Sequence, residues 1–114
     1  MVLTASKILA NGALGTSYAA LYTAPASPAT ATFVTSIKFV NTNTTTARLV
    51  NLQLKKAGGS QIQWAAVDFS LAAKAEWEAT DNAQQVRLGP GDEIYAKQDT
   101  GTDVSFTIMG GENQ

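Results

Sequence analysis

Apolar and polar residues alternate with a period of two along much of this chain, and the longest such stretch runs from Phe33 to Leu54. In its first half Phe33, Ile37 and Phe39 fall on one face with Thr35 between them, while Ser36 and Lys38 point the other way. Asn41-Thr42-Asn43-Thr44-Thr45-Thr46 follows, too polar and too β-branched to carry a helix. Val50, Leu52 and Leu54 then share one face, with Asn51, Gln53 and Lys55 on the other. Successive side chains of a strand point to opposite sides, so this period marks half-buried antiparallel strands, here read as a hairpin. A lone hairpin cannot cover its own apolar face, so the rest of the chain must supply an opposing sheet.

The same period recurs on either side. Residues 1–16 read as an edge strand, with Lys7-Ile8-Leu9-Ala10 before the tight-turn pair Asn11-Gly12, or equally as an arm that docks on a neighbouring subunit. From Ser17 to Thr23, Tyr18, Ala20 and Tyr22 oppose Ala19, Leu21 and Thr23, and the prolines of Ala24-Pro25-Ala26-Ser27-Pro28-Ala29 then end any ladder. After the Gly58-Gly59-Ser60 turn, Ile62 and Trp64 share a face. The pattern blurs from Ala65 to Ala75, which reads as a loop tucking Phe69 and Leu71 into the core, with one or two helical turns as the alternative. Trp77 opposes Glu76 and Glu78, and Val86 and Leu88 point inward. Gly89-Pro90-Gly91-Asp92 is a strong turn signal. Ile94 and Ala96 point in with Tyr95 and Lys97 out, and Val104, Phe106 and Ile108 make a clean last strand. The expected fold is therefore an all-β antiparallel sandwich, jelly-roll or Ig-like, of about seven or eight short strands. It occupies residues 17–110 behind the 1–16 segment, with 111–114 as a polar, flexible tail. The predicted core is Ile37, Phe39, Leu52, Val86, Ile94, Phe106 and Ile108.

Composition narrows what such a sandwich can do. At 114 residues the chain suits one domain, and its 15% of charged residues falls below the usual quarter. Low charge suits packing against other subunits, because close contact then buries few unpaired ions. Eight basic and nine acidic residues are scattered along the chain, and the only basic run is Lys55-Lys56. That leaves no electrostatic footprint for nucleic acid or for an anionic membrane. No segment reaches the length of a membrane span, and Met1 to Lys7 does not read as a signal peptide, so synthesis in the cytosol is expected. There is no cysteine, hence no disulfide and no thiolate chemistry.

There is no histidine either, which removes zinc centres and histidine-based triads. Glu76 and Glu78, at i and i+2, could form a hydrolase pair, but a solvated strand face beside a buried Trp77 explains them better. Asp99 and Asp103 bracket a glycine turn, where capping is far commoner than calcium binding. Trp64, Trp77 and Tyr95 are the aromatics available for a sugar-stacking platform, though core or subunit contact is the commoner use of strand aromatics. No cofactor is expected.

Several motifs then line up in order. Leu21-Tyr22-Thr23-Ala24-Pro25-Ala26 running into Ala31 to Asn43 resembles the opening of small virion proteins of tailed bacteriophages. Leu71 to Glu76 occupies the place of that family's glycine turn, Leu88 to Ala96 resembles its Gly-Asp turn, and Val104 to Met109 resembles its closing strand. Ser27-Pro28-Ala29 and Lys74 stand where the family has glycine turns, so both loops are expected to differ in shape. The resemblance covers residues 18–111 and none of its motifs is catalytic. It implies a non-enzymatic virion structural protein, first of all a capsid decoration (cement) protein that stabilises the shell. A tail, collar or baseplate component is the alternative, and a carbohydrate-binding module is the alternative of another class. Its implied partners are further copies of itself, a trimer being the first expectation, and the major capsid protein or other virion proteins. Its implied location is the virion.

Overall fold

The computed structural model describes residues 7–26, 31–79 and 86–113; the side chains of residues 63–67, 86 and 113 lie outside the description. The chain order is β1 (Lys7–Ala13), β2 (Ala19–Thr23), β3 (Ala31–Asn41), β4 (Arg48–Lys55), β5 (Gln61–Leu71), β6 (Glu76–Glu78), β7 (Val86–Leu88), β8 (Glu93–Gln98) and β9 (Val104–Asn113). One sheet runs β1-β9-β3, with β6 and β7 both paired to the far side of β3; the other runs β2-β8-β4-β5. All pairings are antiparallel.

The protein is a β-sandwich, and its winding decides between the two architectures expected. β6 pairs with Lys38–Val40 and β7 with Thr32–Val34, so together they form one interrupted edge strand. The pairs are then nested: β1 with β9, β2 with β8, β3 with the β6/β7 strand, β4 with β5. Alternate pairs go to opposite sheets, which is the wrapping of a jelly roll. One consequence corrects the hairpin reading of Phe33–Leu54. β3 and β4 do not pair; they lie in different sheets, and residues 42–47 carry the chain across the gap between them.

Among the described residues, fourteen buried apolar residues form the core, including Val34, Ile37, Phe39, Val50, Leu52, Leu71, Leu88, Ile94, Val104, Phe106 and Ile108. Six of the seven predicted core residues are there; the Val86 side chain lies outside the described residues. Phe33 is the exception on β3. The register between β3 and β9 shifts between Val34 and Ser36, leaving Thr35 as a bulge residue. An extra residue reverses the alternation, so Thr32 and Val34 join Ile37 and Phe39 on the inner face. Phe33 turns outward and lies under the Arg87 guanidinium, 5.4 Å from the ring centre. Gly110 faces the bulge, and a Cβ there would strike the Phe33 carbonyl oxygen directly.

Other expectations are corrected in the same way. Residues 65–71 are neither loop nor helix, because β5 continues unbroken to Leu71. The blur comes from a bulge: Val50 faces Phe69 while Leu52 faces Ala65, so three β5 residues stand against Asn51 alone. Asp68 takes a left-handed φ of 48° there, held by a reciprocal pair in which Asn51 Nδ2 donates to Asp68 Oδ1 (3.1 Å) and the Asp68 amide donates to Asn51 Oδ1 (3.0 Å). Residues 111–113 are not a free tail: Gly111, Glu112 and Asn113 pair with Phe33, Thr32 and Ala31. At the other terminus Lys7–Ala13 is an edge strand on β9, and Leu14 behind it is 1% exposed. Lys74 holds a φ of 61°, so its turn adopts the conformation a glycine would favour; residues 27–29 lie outside those described.

Candidate functional site

The residues singled out as a glycan platform are not brought together. Trp77 is half-buried on β6, where it stacks on Phe69 at 4.1 Å and Phe39 at 5.8 Å, packing between the sheets. Tyr95 is on β8 between the inward-facing Ile94 and Ala96, so it stands on the outer face of the other sheet. The Trp64 side chain lies outside the described residues. Glu76 and Glu78 sit on an exposed strand face rather than in a cleft, with Glu76 3.3 Å from Lys38. Among the described residues no group of three or more acidic side chains gathers as a metal site would require.

The aspartates act as clasps. Asp99 Oδ1 accepts the Leu49 amide at 3.0 Å. Asp103 Oδ2 accepts from Arg48 Nε (2.9 Å), Arg48 Nη2 (2.6 Å) and Asn43 Nδ2 (3.2 Å). Those donors, Arg48 first, hold the Asp103 carboxyl below the usual carboxylate range. Asn41 is fully buried beside them; its Nδ2 donates to the carbonyls of Thr46, Leu71 and Ala72 and its Oδ1 accepts the Asn43 amide. Asn43 Oδ1 in turn accepts the amides of Thr45 and Thr46, both at 2.8 Å. The polar run between β3 and β4 thus ties β3, β4, β9 and the 72–75 turn into one closed end. Leu14 completes it, accepting from Gln98 Nε2 at 2.5 Å and donating its amide to the Val104 carbonyl at 2.8 Å.

The opposite end is open. Leu54 and Ile62 face each other on β4 and β5, on the inner side of their sheet, but near the hairpin tip. Leu88 faces them from the other sheet, yet Ile62 remains 63% exposed. Between them lies a cleft of about 390 Å³ lined also by Lys55, Lys56, Arg87 and Asp92. Asp92 organises its floor: Oδ1 accepts the Ala57 amide and Oδ2 the Gly89 amide, both at 2.9 Å. Gly91 makes that turn with a φ of 80°, whereas Gly89 needs no positive φ. Lys55 pairs with Glu93 at 3.6 Å. Among the described residues neither Lys56 nor Arg87 is in an ion pair. At this end too, Tyr22 of β2 donates to Glu112 of β9 at 2.7 Å, latching the two sheets. Burial, ahead of the Glu112 charge, pushes the Tyr22 phenol up to about 12.

A second exposed surface lies on the β1/β9 face. Ile8 and Met109 face each other across the pair, 55% and 38% exposed, beside the outer edge of β1. Neither Arg87 nor this pair stands out in the sequence, since each is a single residue in an ordinary strand. No protein-family model, curated protein or solved structure matches this chain.

Proposed function

We propose that this protein is a non-enzymatic structural component of a tailed-bacteriophage virion, a capsid decoration protein that attaches to the shell as a homo-oligomer. The observation that carries this reading is the Ile8–Met109 surface on a small jelly roll. Two large apolar side chains stand together in water beside an outermost strand, on a chain with few charges. Such a surface favours contact with another copy or with a repeated shell, and the β1 edge offers main-chain groups for the same contact. The motifs of residues 18–111 add the resemblance to virion proteins. The glycan reading lacks a corresponding support, because Trp77 and Tyr95 belong to different surfaces.

Sedimentation tests it. The purified chain should sediment as a small oligomer and co-sediment with shells assembled without it. Ile8→Glu should weaken both associations while leaving the fold intact. A wild-type monomer that ignores shells defeats the reading, and a reconstruction with its density on the tail would select the tail or baseplate alternative.

A further inference from the structure

The open-end cleft combines three properties that the assembly surface does not. Its walls are aliphatic, from Leu54, Ile62 and Leu88, with Ile62 left largely in water. Its rim has more cations than anions: Lys55 is matched by Glu93, and Lys56 and Arg87, in no ion pair among the described residues, outnumber the one remaining carboxylate, Asp92, whose oxygens are turned to two backbone amides. Its sides are strands, because β5 and β7 are outermost in their sheets among the described residues. We propose that the cleft binds an extended acidic peptide segment of a partner protein, inserting one aliphatic side chain between Leu54, Ile62 and Leu88 while flanking carboxylates pair with Lys56 and Arg87.

Each property selects part of that ligand. The volume, at the lower end of the ~300–1,000 Å³ typical of ligand sites, admits a side chain rather than a second domain. An exposed isoleucine on an otherwise inward face gains by being covered with a hydrocarbon group. Lys56 and Arg87, without an ion-pair partner among the described residues, favour carboxylates on either side of the anchor and disfavour a basic segment. Arg87 rests on the Phe33 ring, so part of the cost of ordering its long side chain is already met in the free protein. An outermost strand can add a further strand, which favours an extended peptide over a helix. In such a peptide alternate side chains share a face, so the anchor and its carboxylates belong at i, i−2 and i+2. The site stands on this geometry alone and does not depend on the virion reading.

Amide chemical-shift titration of the full chain tests it with acetyl-Glu-Thr-Leu-Thr-Glu-amide and its Gln-Thr-Leu-Thr-Gln counterpart. The acidic peptide should shift residues 54–62 and 86–92 and bind about tenfold more tightly than the neutral one, the equivalent of two weak exposed ion pairs. Its affinity should fall with added salt, and the double substitution Lys56→Gln with Arg87→Gln should reduce it to that of the neutral peptide. Ile62→Ser should weaken both peptides. All three changes are at exposed positions, so spectra of the variants will show the fold retained. Equal binding of the two peptides, shifts confined to other surfaces, or no binding of either at millimolar concentration would overturn the proposal. Free 4-methylpentanoate matching the acidic peptide would overturn the peptide assignment, making the occupant a small organic acid.

Discussion

The two ends of this sandwich are finished by different chemistry. At the Asn41 end, side-chain amides, one arginine–aspartate pair and the Leu14 plug satisfy the backbone where the strands turn, and the apolar residues beneath are fully buried. At the Leu54 end the turns are held by Asp92 and by the Tyr22–Glu112 latch, and an isoleucine of the inner face stays in water. The difference shows what facing inward means. A residue on the core side of a strand is buried only where the opposing sheet extends far enough to cover it. Polar groups that tie several segments together stabilise an end, whereas uncovered apolar groups leave it available for contact.

The contrast can be broken by substitution. The largest effect is expected from deleting residues 1–14, which removes β1 and the Leu14 plug together. Urea unfolding followed by tryptophan fluorescence should lose its cooperative transition; a truncated chain that still unfolds in one sharp step would mean that the closed end does not depend on its plug. Next is Asn41→Ala, which takes the side-chain partner from three carbonyls and one amide, the Ala72 carbonyl keeping the Ala75 amide, and should lower stability by about 3 kcal/mol. Its counterpart at the open end, Ile62→Ser, should cost less than about 0.5 kcal/mol, since that side chain is already largely in water. Comparable losses at both positions would abolish the distinction between the ends.

Gly110→Ala sharpens the comparison, because this glycine sits toward the open end, where main-chain pairing rather than an amide clasp holds β3 to β9. A Cβ pressed onto the Phe33 carbonyl should cost about 2–3 kcal/mol in the same measurement. An unchanged midpoint would show that the strands can separate there freely. The smallest effect concerns pH. The folded-state pKa of Asp103 lies below its unfolded value, so the clasp is fully effective above that unfolded value, about 3.9, and is lost as pH falls through the lower folded value. The stability difference between the wild type and Asp103→Asn should therefore be constant at neutral pH and narrow below about pH 4. A difference that stayed constant down to about pH 2 would remove Asp103 from the clasp.

Much of the fold was legible because its strands are half-buried and keep a strict alternation. Val50-Leu52, Ile94-Ala96 and Val104-Phe106-Ile108 all lie on the inner faces assigned to them. Alternation fails as a guide where a bulge adds residues. Phe33 is assigned inward because nothing local reveals the extra residue at Thr35, which depends on the facing Gly110, a neighbour in the ladder but 75 positions away in the sequence. The blurred stretch after Ala65 has the same origin in the Asn51–Asp68 pair. Of the cleft's cations, only Lys55-Lys56 stands out in the sequence, as the one basic run; Leu54, Ile62 and Leu88 are legible as strand positions, but nothing local shows that they meet, or that Arg87 reaches them from β7. The aromatic platform failed for a related reason: alternation shows that Trp77 and Tyr95 are on strands but not that they are on different sheets.

By itself, then, the sequence determined that the chain is all-β, where some of its turns fall, such as those at Gly58-Gly59 and Gly89 to Asp92 but not the one expected at Asn11-Gly12, which lies inside β1, most of the residues that go inside, and that histidine and cysteine chemistry is absent. These are properties of local pattern and composition. Only the tertiary structure decided that β3 and β4 belong to opposite sheets, that the pairs nest as a jelly roll, and that residues 111–113 extend a strand. The same polar run between two strands can close a hairpin or cross a sandwich; here Asn41 meets the carbonyls of Leu71 and Ala72, thirty residues on, and that long-range contact makes it a crossing.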